Sequence, residues 1–300
     1  MSNFLPILIK SDGTIIYNIF ATSHKDLVNK YICHDDKSYF KAMFSPQDGN
    51  RLDELDYYQL IISENYIPTW FNDELKTQTI AKLKEIISSM IIRNRKQLLL
   101  HEGAILIGNA VIEEVKNSII FAMYDNARIK TLDHNSVVSL ITDECVIEEM
   151  CNNTKIDIMY GFSKVNEMND YSKIMKMYGQ ANVGIMNDNS RIAMLKGDAN
   201  ITEMHDLSMA DRLKHMSKVS EMHGHAVIEE MWDWSIVEKM FANSRVNYMD
   251  EESMVKEMFG DSMIEQMHGN SIVEKLYENS LVRKLGEYAQ ILERELKKEI

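Results

Sequence analysis

From Ser118 onward the polar and apolar positions of this chain recur every nine residues. A small residue marks the period, from Ser118, Ala127, Ser136, Cys145 and Thr154 through to Ser271 and Ser280, nineteen members without an insertion. Ala110 precedes the run by eight residues and reads as an imperfect first member. Two positions after each small residue stands Val or Ile, with Ala210 the lone exception, and three further on stands Met, Leu or Ile. Asn, Asp and Gly gather between units, as in Asp125-Asn126, Asp188-Asn189 and Gly269-Asn270.

A helix cannot use this pattern. Nine residues at about 100° each leave successive units facing opposite sides. A strand can: the small residue and the Val/Ile are two apart and point to one face. Asn, Asp and Gly then turn the corner, because they tolerate positive φ and bond their own backbone. Met fills the gap at the corner, where an unbranched side chain adapts best.

The variable positions match best eighteen residues apart. Tyr160 aligns with Tyr178, Asn169-Asp170 with Asn187-Asp188, Phe241 with Phe259, and Gly161 with Gly179 and Gly197. A 27-residue comparison lines up Tyr124, Cys151, Tyr178 and His205, in which no two successive members match. Two nonapeptides therefore make one coil. The expected fold is mainly β: a parallel β-solenoid over residues 101–286, with 18 residues per coil and about ten coils at roughly 4.8 Å spacing.

Both ends need covering. Over residues 287–300, Ile291, Leu292, Glu295 and Leu296 fall at helical spacing, which predicts a C-terminal capping helix. Residues 1–100 read as a separate α/β module. Two apolar runs flank Asp12-Gly13, a hairpin signal. Ser23 to Cys33 reads as a short helix, YFKAMF and YYQLIIS as strands, and Asn72 to Ile92 as the longest helix, suited to cap the first coil. This module shows no nucleotide-binding, nucleophile or metal motif.

Composition sharpens the picture at a few points. There are 3 Pro, the last at Pro68, so nothing interrupts the ladders of the repeat. The net charge is −13, and residues 1–100 hold equal numbers of acids and bases, so the repeat carries the imbalance. A strong negative field argues against direct binding to nucleic acid or an anionic membrane. Cys33, Cys145 and Cys151 form no pattern and read as reduced thiols. The N-terminus lacks a signal-peptide profile and no apolar run reaches 18 residues, so the expected location is the cytoplasm, in a bacterial host cell. The Gly-Gly-x-Gly-x-Asp signature of calcium-binding nonapeptide rolls is absent, and no metal or cofactor is expected.

The unit, small-x-Val/Ile-x-x-Met with Asn at its junctions, resembles the Asn-Ala-Thr-Val-type nonapeptide repeats of gut bacteria and their phages over residues 110–287, which implies architecture. It is more distantly similar to pentapeptide-repeat proteins, some of which are acidic, dimeric rods that mimic duplex DNA and bind DNA-handling enzymes. The nine-residue period and the Met corner depart from that family, so a shared function is analogy.

Candidate site residues follow from sorting by half-coil. Glu149, Glu167, Glu203 and Glu221 occupy one column, interrupted by Ile185, with Asp170, Asp188 and Asp206 in another on the same half. Like charges stacked about 5 Å apart cost stability unless a partner uses them. Toward the C-terminus, Ile236, Met254 and Ile272 stack at an outward position and Phe241, Phe259 and Tyr277 at the neighbouring corner, the expected homodimer interface. His205, Asp206, His223 and His225 fall on adjacent coils, where a shared column is the simpler reading than a metal site. Ladders without insertions offer no pocket for catalysis. The leading expectation is a non-enzymatic interaction protein. It would present an acidic rod to a basic host protein such as a DNA-handling or defence enzyme, as a phage- or mobile-element-encoded inhibitor. A phage-particle spacer, or a hydrolase or ligand binder sited in residues 1–100, remain open beside it.

Overall fold

The computed structural model describes residues 5–32, 38–62, 67–100 and 102–295. It divides into two compact units, one running through Ile92 with Gly103–Ile105 and the other comprising Arg93–Glu102 and the chain from Leu106 onward.

In the first unit, β1 (Leu5–Lys10) and β2 (Ile15–Tyr17) form the expected hairpin. Its turn puts Gly13 at φ +80, while the Asp12 carboxylate accepts the Thr14 N–H at 2.8 Å. Helix α1 (His24–Tyr31) starts at a capping box in which Ser23 and Asp26 bond each other's backbone N–H. Strands β3 (Tyr39–Pro46) and β4 (Tyr58–Ile62) complete an antiparallel sheet in the order β2-β1-β3-β4. Leu5, Ile7, Leu8, Ile9, Phe40 and Phe44 are buried in this unit. Helix α2 (Asp73–Met90), capped by Asn72, buries a stripe at one-turn spacing, Thr79, Leu83 and Ile87. Cys33 lies outside the described residues.

The second unit is the parallel β-solenoid. Its strands alternate between two sheets, and each pairs with the strand eighteen residues away, as in Val146↔Lys164, Lys164↔Asn182 and Lys155↔Lys173. We call sheet one the 12-stranded sheet containing Val146–Met150, and sheet two the 13-stranded sheet containing Lys155–Met159. Most strands of the repeat are buried at their second and fifth residues, with the first, third and fourth half-covered or exposed. With the small residue just before the strand, each nine-residue unit sends three side chains inward and leaves the other six at the surface. Thirteen of the 22 Met occupy the fifth position, and those from Met123 to Met267 are fully buried. Each fully buried Val, Ile or Met side chain contributes about 1.5–3 kcal/mol, repeated coil after coil.

Two residues before each small residue from Ala127 to Ser280 the backbone turns left-handed. Asp125, His134, Asp143, Asn152, Asp170 and Asp188 all have φ between 53 and 62, and Gly161, Gly179 and Gly197 lie between 64 and 80. This single backbone state explains the Asn, Asp and Gly at the junctions. Ala110 is indeed an imperfect member. Val111 pairs with Arg128, one residue short of a full coil, whereas Ile119 pairs with Val137 in full register.

The solenoid extends further than expected at both ends. Lys96–Leu100 already pairs in parallel with Val111–Lys116, so the repeat architecture starts before its sequence signature does. At the other end the expected capping helix over 287–300 is not found: Gln290–Glu295 is a strand, paired in parallel with Ile272–Tyr277. The nine-residue frame explains the correction. Ala289 is the small residue nine after Ser280, Ile291 falls in register with Val273, and Arg294 stands where Met is usual. Joining an open ladder edge satisfies backbone groups that a helix would leave exposed. Residues 296–300 lie outside the described residues.

Candidate functional site

Sheet one carries the acidic column in unbroken register: Glu149 beside Glu167, Glu167 beside Ile185, Ile185 beside Glu203, Glu203 beside Glu221. All four glutamates sit at the fourth strand position and are half-covered. Each leans on the corner side chain near it. The Asn169 amide donates to Glu149 at 3.1 Å and that of Asn187 to Glu167 at 3.0 Å. His205 Nε2 meets Glu203 at 2.9 Å and His223 Nε2 meets Glu221 at 3.0 Å. Neighbouring amides and imidazoles thus soften the like-charge stacking while leaving the column facing outward.

Asp170, Asp188 and Asp206 are arranged differently. Each occupies the left-handed corner position, and each carboxylate accepts the N–H of the corner residue one coil earlier. Asn152 donates to Asp170 at 2.8 Å, Asp170 to Asp188 at 3.0 Å and Asp188 to Asp206 at 3.3 Å. The corner carbonyl is met from the other side, since Asn189 N–H bonds the Asp170 oxygen at 2.9 Å. The carboxylates therefore complete the backbone bonding of the turn. The opposite corner uses the same device in Asp125 to Asp143 and in Asp233 to Glu251. Bonding to the His215 N–H holds the Asp233 carboxyl below the ordinary 3.8. These aspartates have a structural task that their column in the sequence does not reveal.

The apolar set also lies in register. Ile236, Met254 and Ile272 are neighbours at the first strand position of sheet one, half-covered. At the corner, Phe241, Phe259 and Tyr277 extend a continuous ring stack that begins at His205 and His223. Centroids step by 4.8, 4.8, 5.1 and 4.6 Å, with planes within 10°. His205 and His223 serve this stack and their glutamates. Among the described residues no three His, Cys, Asp or Glu side chains converge as a metal site. Trp232 packs on Tyr248 with Lys214 above its ring, and Trp234 is exposed.

Sheet two holds a feature that the sequence reading missed. Lys155, Lys173 and Arg191 stack in register, as do Lys196 and Lys214. The same coils are thus acidic on sheet one and basic on sheet two. Sorting the other half-coil by eighteen would have exposed it. Of the thiols, Cys145 is buried and Cys151 is pushed up to about 12 by burial and the nearby Glu149 carboxylate. In the first unit, Gly13, Thr14, Lys82, Glu85 and Ser89 line an open depression of about 500 Å³. Trp70 and Phe71 pack on Phe40 there.

No protein-family model, curated protein or solved structure matches the chain. Among the described residues no helix is long and apolar enough to cross a membrane.

Proposed function

We propose that this protein is a non-enzymatic interaction protein whose acidic sheet face takes a basic protein partner. The observation that supports it is the column Glu149, Glu167, Glu203 and Glu221, held outward in register on a rigid ladder. Asp170, Asp188 and Asp206 flank that column and add to its field, but their bonding to corner amides makes the glutamates the contact residues. A DNA-handling or defence enzyme of the host fits the required charge, and inhibition by occupying its basic groove fits a rod of acids. Attraction of this kind acts at long range and weakens with salt.

The test is affinity capture from host lysate, with the parent and with a variant carrying Glu167→Lys, Glu203→Lys and Glu221→Lys. The parent should retain a basic protein at low salt and release it as salt rises, and the variant should not retain it. Identical captured sets would remove the acidic face from the function and turn attention to the depression in the first unit.

A further inference from the structure

Beyond the acidic rows, sheet one changes its outward chemistry row by row. In three consecutive coils the third and fourth strand positions carry opposite charges: Glu238 with Lys239, Lys256 with Glu257, and Glu274 with Lys275. The sign alternates from coil to coil as well, with Lys239 beside Glu257 and Glu257 beside Lys275. On either side of these charges stand the apolar columns, with Ile236, Met254 and Ile272 at the first position and the rings of Phe241, Phe259 and Tyr277 at the corner. Within the chain Glu238 binds Lys218 at 2.8 Å and Lys256 at 3.2 Å, while Lys239, Glu257 and Glu274 have no ion pair among the described residues.

We propose that these three rows are the interface with a second copy of this chain, related by a two-fold axis parallel to the solenoid axis. Such an axis keeps each coil level with its own copy and reverses the strand direction, so position three meets position four and position one meets the corner. Glu238 then faces the other copy's Lys239, Lys256 faces Glu257, and Glu274 faces Lys275. Ile236, Met254 and Ile272 cover the partner rings. The patch is self-complementary, as an isologous contact must be. The other face-to-face two-fold, along the strands, sets Glu238 against Glu274 and Lys256 against itself, so the charge pattern selects one arrangement.

The same axis shows where the charge match ends. In the preceding rows Glu203 and Glu221 would meet Thr202 and Ser220, with no cation in that column to balance them. Because each coil stays level with its own copy, those rows face their counterparts across the same axis, so self-association and partner binding at the acidic column compete for one face. Three coils span about 14 Å, a small patch beside the roughly 800 Å² per partner of a standard interface, so association is reversible. This inference does not require the acidic rows to bind anything, and the variants that test it leave those rows untouched.

The experiment is sedimentation of the full chain from ~10 to ~500 µM, a range that spans weak self-association, alongside circular dichroism and thermal melting. The parent should approach twice the 34.8 kDa chain mass. Glu257→Lys should hold the chain monomeric, because it sets cation against cation across the axis. Adding Lys256→Glu should restore the dimer, although it worsens repulsion between coils within each chain by making each column one sign. A parent that stays monomeric at the top concentration overturns the proposal. So does a Glu257→Lys chain that associates like the parent, or a folded double variant that stays monomeric. If exchange at 256 and 257 disturbs folding, Lys275→Glu and its reversal by Glu274→Lys give the same reading one row on.

Discussion

The inward serines show how far a single hydroxyl can be worth less than its absence. Ser163, Ser190, Ser217 and Ser235 bury a hydroxyl without a hydrogen-bond partner, whereas Thr154 donates to the Cys151 carbonyl at 2.9 Å from the equivalent position. Leaving a buried hydroxyl unsatisfied costs about 1–3 kcal/mol, and the repeat already places Ala at 127, 181, 199 and 226. Ser235→Ala should therefore hold or raise the unfolding midpoint, while Thr154→Ala should lose about 1 kcal/mol. Equal losses from both in a denaturant titration would show that the serine hydroxyls are bonded after all. At the same scale, a thiol pushed up to about 12 is almost wholly protonated at neutral pH. Cys151 should alkylate far more slowly at pH 8 than a free cysteine, and a rate equal to that of a small-molecule thiol would contradict its burial.

At the scale of strand and corner, the carboxylate-to-amide bond couples one coil to the next. Asp188→Ala removes both the acceptor for the Asp170 N–H and a residue that tolerates φ 54, and should cost about 1–3 kcal/mol. Asp188→Asn keeps an acceptor and the turn preference, so it should stay close to the parent and keep its partner binding. An alanine variant as stable as the parent would show the corner bonds to be idle. The Asp233 carboxyl lies below its ordinary value because the His215 amide bonds the charged form. Its stabilising contribution is present above the ordinary 3.8 and is lost as pH falls through the depressed folded value. Asp233→Asn should therefore flatten part of the acid limb of a stability-versus-pH curve. Much of this architecture was legible, because Ser118 to Ser280 keeps one frame and an inward side chain allows few substitutes. The last strand was not: Arg294 replaces the expected Met, and Ile291, Leu292 and Leu296 imitate a helix. The task of the aspartates was hidden for a different reason. Their column is visible in the sequence, but the unpaired N–H that each one meets exists only once the corner has turned left-handed.

At the scale of the whole solenoid, one core supports two unlike faces. The inward positions are interchangeable between sheets, so they set the coil and say nothing about function. The outward positions repeat only every eighteen residues and place Glu149 to Glu221 on one sheet and Lys155 to Arg191 on the other. The central claim is that binding depends on where the acids stand, not on how many there are. Two variants separate these. The first reverses Glu167, Glu203 and Glu221 to Lys. The second reverses Glu144, Asp198 and Glu252, exposed corner residues away from the column. Three reversals add six charges, so either variant carries −7 in place of −13. The decisive measurement is the affinity of each for the basic protein that the parent captures, at one low salt concentration. The account predicts that the first variant loses binding at least tenfold, about 1.4 kcal/mol, while the second stays near the parent. Equal losses in the two would contradict it and reduce the acidic face to bulk charge.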